Sequence, residues 1–143
     1  MSNATLEKFG YPDTLIQAGP CWSVLLRPAQ VTLGSLVLVC TEPVREFSAL
    51  SQQAFAELRE VSGHIERSLK RAFAYDKINY LMLMMVDPDV HFHVIPRYAD
   101  ERLCGGAVFL DPHWPGQPDL SCANDVGDET RQAIRQLILS HWD

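Results

Sequence analysis

From Ser51 to Phe73 apolar side chains return every three or four residues, at Phe55, Leu58, Val61, Ile65, Leu69 and Phe73, with no proline among them. That interval is one turn of an α-helix, so the six side chains form a single stripe that something apolar has to cover. Ser51 is suited to be the N-cap, and Leu50 and Phe55 occupy the two positions of a hydrophobic staple. Glu57, Glu60, Arg67, Lys70 and Arg71 fall on the far side as a solvated face, and His64 lies at the border as a partly buried or surface histidine. A helix of about six turns with one greasy stripe is not a fold. The rest of the chain must supply a flat apolar partner.

Four segments have the composition of strands. Trp22 to Leu26 stops at Arg27-Pro28, and Ser35 to Cys40 starts just after Gly34, so the two are expected to pair antiparallel across the loop Pro28 to Gly34. Beyond the helix, Ile78 to Met85 is apolar at nearly every position, the pattern of a strand buried between layers. The turn Asp87-Pro88 leads into Val90 to Ile95, which alternates. Past Pro96 the chain turns irregular, with Cys104-Gly105-Gly106 and Asp111 to Gly116 as loops and Ala107 to Leu110 as a small strand. A last helix is expected from Asp128, packed through Ile134, Leu137 and Ile138. This order predicts an α+β fold: an antiparallel meander sheet with one main helix and a C-terminal helix.

The 143 residues suffice for one domain, 1–143, and 47% hydrophobic with 21% charged residues is globular composition. A net charge of −6 excludes a general nucleic-acid binder, while leaving room for a small anion held by a few placed Arg or Lys side chains. Met1 to Gly10 has no apolar run of the kind that opens a signal peptide, and no segment is long enough to span a bilayer. Cys21, Cys40, Cys104 and Cys122 are far apart, with no CxxC pair, and read as reduced thiols. A cytoplasmic protein without a membrane partner is expected.

The chemistry is concentrated in Asp89-Val90-His91-Phe92-His93-Val94-Ile95-Pro96-Arg97. On a strand alternate residues share a face, so Asp89, His91 and His93 should project together while Val90, Phe92 and Val94 pack toward the helix. A neutral imidazole is nucleophilic at ordinary pH, and a phosphorus-bound histidine is a good leaving group, so a hard displacement at phosphorus can be divided into two easier steps. The same His-x-His spacing also suits half of a metal site, although no third ligand is evident beyond Asp89, and His113 and His141 lie in unrelated contexts. A plain sheet surface is the remaining reading.

The run His91-Phe92-His93-Val94-Ile95-Pro96-Arg97 resembles the signature of the histidine triad family, His-x-His-x-His followed by two apolar residues and often by Pro-Arg, with Asp89 in place of the first histidine. The likeness extends over about Leu15 to Tyr98: Trp22 to Leu26, the loop ending at Gly34 and Leu36 to Val39 resemble the family's early hairpin, and the Ser51 to Phe73 helix stands where its central helix lies. The resemblance implies a hydrolase or nucleotidyl transferase acting at a nucleotide α-phosphate, of the phosphoramidate or dinucleoside polyphosphate type. It makes His91 the nucleophile of a covalent nucleotidyl-histidine, has His93 support the phosphate, requires no cofactor or metal, and implies a homodimer whose sheets join. A non-catalytic module binding a nucleotide or another phosphorylated metabolite is the alternative.

Several departures bear on that carry-over. Asp89 is acidic where a histidine is usual, and a carboxylate beside His91 would favour the imidazolium and oppose attack. The glycine-rich segment that often precedes the motif is replaced by Met84-Met85-Val86-Asp87-Pro88, and Met85 stands where related short-loop bacterial proteins carry an asparagine. Arg27 lies in the neighbourhood where better-known members place an Asp or Asn for ribose hydroxyls. Arg27, Asn79, Arg97 and Trp114 complete the expected substrate-binding set, since polar and aromatic residues near loops serve sites more often than average.

Overall fold

Ser51 does cap the long helix, its Oγ accepting the Ala54 backbone N–H at 3.0 Å, and α2 runs Gln52–Phe73 until Ala74 turns left-handed at φ 51°. In the computed structural model, which describes residues 3–124 and 126–143, this helix lies across a five-stranded antiparallel sheet. Met1 and Ser2, the start of the segment without a signal-like apolar run, are outside the described residues.

The elements are α1 Ala4–Lys8, β1 Leu15–Ala18, β2 Trp22–Leu26, β3 Leu36–Cys40, a 3-10 turn Phe47–Ala49, α2, β4 Lys77–Leu81, β5 His91–Arg97, β6 Arg102–Cys104, β7 Ala107–Phe109 and α3 Asp128–His141. The sheet order is β1-β2-β3-β5-β4: the α2 crossover carries the chain to the far edge, and β5 returns between β3 and β4. β6 and β7 form a separate hairpin closed by Gly105 and Gly106, both at positive φ, as a two-residue primed turn requires. No helix among the described residues is long and apolar enough to cross a membrane.

The two faces of the sheet are covered by different parts of the chain. Trp22, Val24, Leu26, Leu36, Leu38 and Val94 pack under Ile65 and Leu69 of α2 and Ile134 and Ile138 of α3. Leu25, Val37 and Val39 pack on the opposite face under Leu6 and Phe9 of the N-terminal segment. β2 and β3 are therefore buried throughout.

Two expectations need correction. Phe55 is not part of the α2 stripe. Ala54 is, fully buried, and its carbonyl accepts the Trp22 indole N–H at 2.8 Å; so close an approach of helix to sheet admits a methyl but not a phenyl ring. Phe55 lies one position round the helix and is exposed, edge-on to Phe47. The strand expected over Ile78 to Met85 ends at Leu81, paired with His93, because the chain there leaves the edge to reach the β5 start. Leu83, Met85 and Val86 are consequently exposed, Met85 by 89%.

Ile65 is fully buried between α2 and the sheet. Ile65→Ala is expected to destabilise the protein by about 2–5 kcal/mol with the denaturant m-value unchanged, as checked by urea unfolding.

Candidate active site

The register of β5 against β3 pairs Val39 with His91 and Val37 with His93, so both imidazoles share the face that carries Val37 and Val39. Their rings meet edge-on at 5.2 Å, and Phe9 meets His93 edge-on at 5.6 Å. His91 is 0% exposed and His93 6%, so both are enclosed between the sheet and the N-terminal segment. Val94 faces the helices as expected, and Phe92 sits half-buried between Trp22 and Phe47.

One hydrogen bond sets the tautomer of the His91 ring. Its Nδ1 lies 2.7 Å from the backbone carbonyl oxygen of Asp89. A carbonyl only accepts, so Nδ1 carries the proton and, in the neutral ring, Nε2 carries the lone pair. That Nε2 is buried with no hydrogen-bond partner among the described residues. The acidic group facing it is Asp87, whose Oδ2 is 3.9 Å away and whose carboxylate is held by Lys8 Nζ at 2.9 and 3.1 Å. His93 Nδ1 and Arg27 Nε are likewise buried and unpartnered among the described residues. Burial first, and then the positive charge of Arg27, push the His93 imidazole down to about 4, against the pull of Asp87, so it is neutral at pH 7.

Asp89 contributes differently from the expectation. Its carboxylate does not join the imidazoles; it accepts the Thr5 backbone N–H at 3.1 Å and the Thr5 hydroxyl at 3.0 Å, fastening α1 to the strand. Only its main-chain oxygen touches the histidines. Lys8, Phe9 and Asp87 belong to the site without any local pattern to mark them as such, because Lys8 and Asp87 meet across 79 positions.

Asn79, Arg97 and Trp114 border a second region. A cleft of about 810 Å³ runs along the free edge of β4 and is lined by Asn79, Leu81, Arg97 and Trp114 among others. Leu81, the register partner of His93, marks its end toward the histidines. Arg97 is buried and its donors are engaged: two bonds to Asp111 at 2.7 and 3.1 Å, one to Asn79 Oδ1 at 2.9 Å and one to the Gly116 carbonyl at 2.8 Å. It thus anchors the loop bearing Trp114 against β5. Arg27 reaches the same loop through the Leu120 carbonyl at 3.3 Å and also donates to Ala29 at 2.7 Å.

The histidine pair forms no three-ligand cluster among the described residues. Such a cluster does arise from His113, Asp119 and Cys122, whose ligand atoms lie within 4.8 Å of one another. Asp119 there accepts from Ser121 N–H and Oγ and from Cys122 Sγ, so its carboxylate is already satisfied as part of a turn.

The HIT domain profile matches residues 13–100, more than half of the chain. A histidine triad (HIT) protein from Sinorhizobium meliloti superposes with a TM-score of 0.76 at 22% identity, covering 99% of this chain and 96% of the other. A histidine triad protein from Marinobacter aquaeolei gives 0.72 at 22%, covering 95% and 93%. A hypothetical histidine triad nucleotide-binding protein from Sulfolobus tokodaii gives 0.68 at 16%, covering 90% and 82%. Identities this low establish the shared fold. No curated protein matches.

His93 also ties stability to pH. An unfolded histidine titrates near 6.5, whereas the folded His93 is held near 4, so between these values the unfolded chain binds the extra proton. Its contribution is complete above about pH 6.5 and declines as pH falls toward 4, by on the order of 3 kcal/mol. Urea unfolding from pH 8 to 4 should show that decline in the wild type and a flatter profile in His93→Gln.

Proposed function

This chain belongs to the HIT domain family, and from that premise we propose that it is a hydrolase or nucleotidyl transferase acting at a nucleotide α-phosphate through His91. The observation that carries the reading is the hydrogen bond from His91 Nδ1 to the Asp89 carbonyl, which leaves the Nε2 lone pair directed away from the backbone with nothing bound to it. Fixing the tautomer in advance removes one of the rearrangements that an attacking imidazole would otherwise need.

In the proposed reaction Nε2 attacks the α-phosphorus and the new P–N bond forms as the bond to the leaving oxygen or nitrogen breaks. The leaving group takes a proton from water. The imidazolium so formed keeps its Nδ1–H on the Asp89 carbonyl, which stabilises the developing positive charge. Water then attacks the same phosphorus and gives its proton to the hydroxide left by the first step, the P–N pair returns to Nε2, and the nucleotide leaves. An acceptor alcohol or phosphate in place of water makes the reaction a transfer. Neutral His93 and the Arg27 guanidinium hold the phosphate oxygens. Asn79 and Trp114 receive the organic part in the cleft, with Arg97 positioning the Trp114 loop. Asp89 acts through its carbonyl. The nucleotide class draws support from the Sulfolobus tokodaii relative's description as nucleotide-binding. We further propose a homodimer in which the sheets of the two copies join.

A binding module without turnover is the second reading, favoured by the complete enclosure of His91. The two separate in one experiment. In the enzyme, His91→Ala abolishes turnover of nucleoside phosphoramidates and dinucleoside polyphosphates while the fold persists, and rapid quench traps acid-labile phosphorus on histidine in the wild type alone. His93→Ala loses roughly 10²–10³-fold, the scale of one supporting donor. Turnover at the wild-type rate in His91→Ala would exclude the mechanism, and nucleotide binding without any turnover would establish the module. Sedimentation at micromolar concentration checks the dimer.

A further inference from the structure

No phosphorus can reach His91 Nε2 while the site is closed, because the atom is buried and the Asp87 carboxylate stands in front of it. Two parts of the chain make that cover, α1 from one side and the 82–88 loop from the other. Their fastenings differ. α1 is tied at its start: Asn3 Nδ2 donates to the Cys40 carbonyl at 3.1 Å and Thr5 donates twice to Asp89. Among the described residues, the segment 82–88 has a single polar side-chain tie, the pair of bonds between Asp87 and Lys8, and it displays Leu83, Met85 and Val86 to solvent. Its backbone contributes one internal bond, Met85 N–H to the Leu83 carbonyl at 2.9 Å. The loop is the element that can move, and α1 is the element that stays.

The chemistry of the contact fits that division. Asp87 presents two oxygens to one ammonium group beside an imidazole, and a phosphate presents the same pattern of terminal oxygens to the same partners. Its side chain is 14% exposed, so the carboxylate is largely withdrawn from water and needs the Lys8 charge. If Asp87 stayed in place, its charge would oppose an incoming phosphate a few ångströms away. If it left, Lys8 would need a new anion in a site that already contains Arg27 and two unpartnered imidazole nitrogens.

We propose that Lys8 is a phosphate-binding residue of this site, stored on Asp87, and that the Asp87 carboxylate occupies the place beside His91 that the substrate's phosphate takes. Binding is an exchange of anions on Lys8. The 82–88 loop swings out with Asp87, while Asp89 stays bonded to Thr5 and His91 and Lys8 remains on the anchored α1, and the site never holds an unpaired buried charge. This rests on the reading of His91 as the group that meets phosphorus. It adds that the N-terminal segment supplies a positioning residue for the phosphate and that the free protein inhibits itself.

The test is equilibrium binding of inorganic phosphate and of AMP by calorimetry, with adenosine as the uncharged control, so that it does not depend on turnover. Asp87→Asn removes the competing carboxylate and frees Lys8, and should tighten phosphate and AMP by roughly ten-fold while leaving adenosine unchanged, the scale of one charge-assisted contact. Lys8→Met should weaken both anions, and Asp87→Asn with Lys8→Met should lose the gain of the first. Lys8 is half-exposed, so its replacement preserves the fold, and matching thermal unfolding of all variants secures the comparison. Tightening that survives Lys8→Met, or an Asp87→Asn protein that binds phosphate no better than wild type, overturns the proposal. A charge exchange observed without any turnover keeps this inference and removes the enzyme reading; turnover with no exchange does the reverse.

Discussion

The register of β5 on β3 is the constraint from which the site follows. His91 opposite Val39 and His93 opposite Val37 put two imidazoles over a patch of branched apolar side chains, on the face that α1 covers. A slip of one residue would send both histidines into the packing under α2 and bring Phe92 and Val94 to the other side. The slip is opposed on both faces at once, by Val94 under the helices and by Val37 and Val39 under Leu6 and Phe9. A strand held from two sides loses little further entropy when it presents a reactive group, and such a platform suits an imidazole that has to be aimed.

Arg97 extends this order to the second half of the site. Its guanidinium is buried, and its bidentate contact with Asp111 offsets the cost of burying the charge. The bonds to Asn79 and Gly116 then make one rigid unit of β4, β5 and the Trp114 loop. Arg27 does something similar from the other side through Leu120. The cleft and the histidines are thus joined by two cations whose donors are spent mainly on protein carbonyls and carboxylates.

Features governed by near neighbours along the chain are legible in the amino-acid sequence. The α2 helix with its Ser51 cap and its stripe from Val61 onward, the strand alternation through His91 and His93 and the C-terminal helix are all local patterns, and each appears where the pattern puts it. What is not legible there depends on distant partners. Phe55 and Ala54 are both apolar and adjacent, and only the approach of Trp22 from another strand decides which one faces the sheet. The apolar run through Met85 reads as a buried strand until the return of β5 defines where the edge ends. Lys8 and Asp87 are ordinary charged residues in the sequence and become the polar closure over His91 only in three dimensions.

Asp89, expected to project beside the imidazoles, has a structural task instead. An imidazole at this position offers one acceptor nitrogen in its neutral form, whereas a carboxylate accepts both the N–H and the hydroxyl of Thr5 at once. Those two bonds fix the first turn of α1, and with it the position of Phe9 on His93 and of Lys8 on Asp87. The contact with His91 that matters for the tautomer is made by a main-chain carbonyl, which any residue supplies. The side chain is therefore free to serve another purpose without disturbing His91. In this chain that purpose is to hold down the N-terminal segment, so the identity of residue 89 and the enclosure of His91 are two consequences of one arrangement.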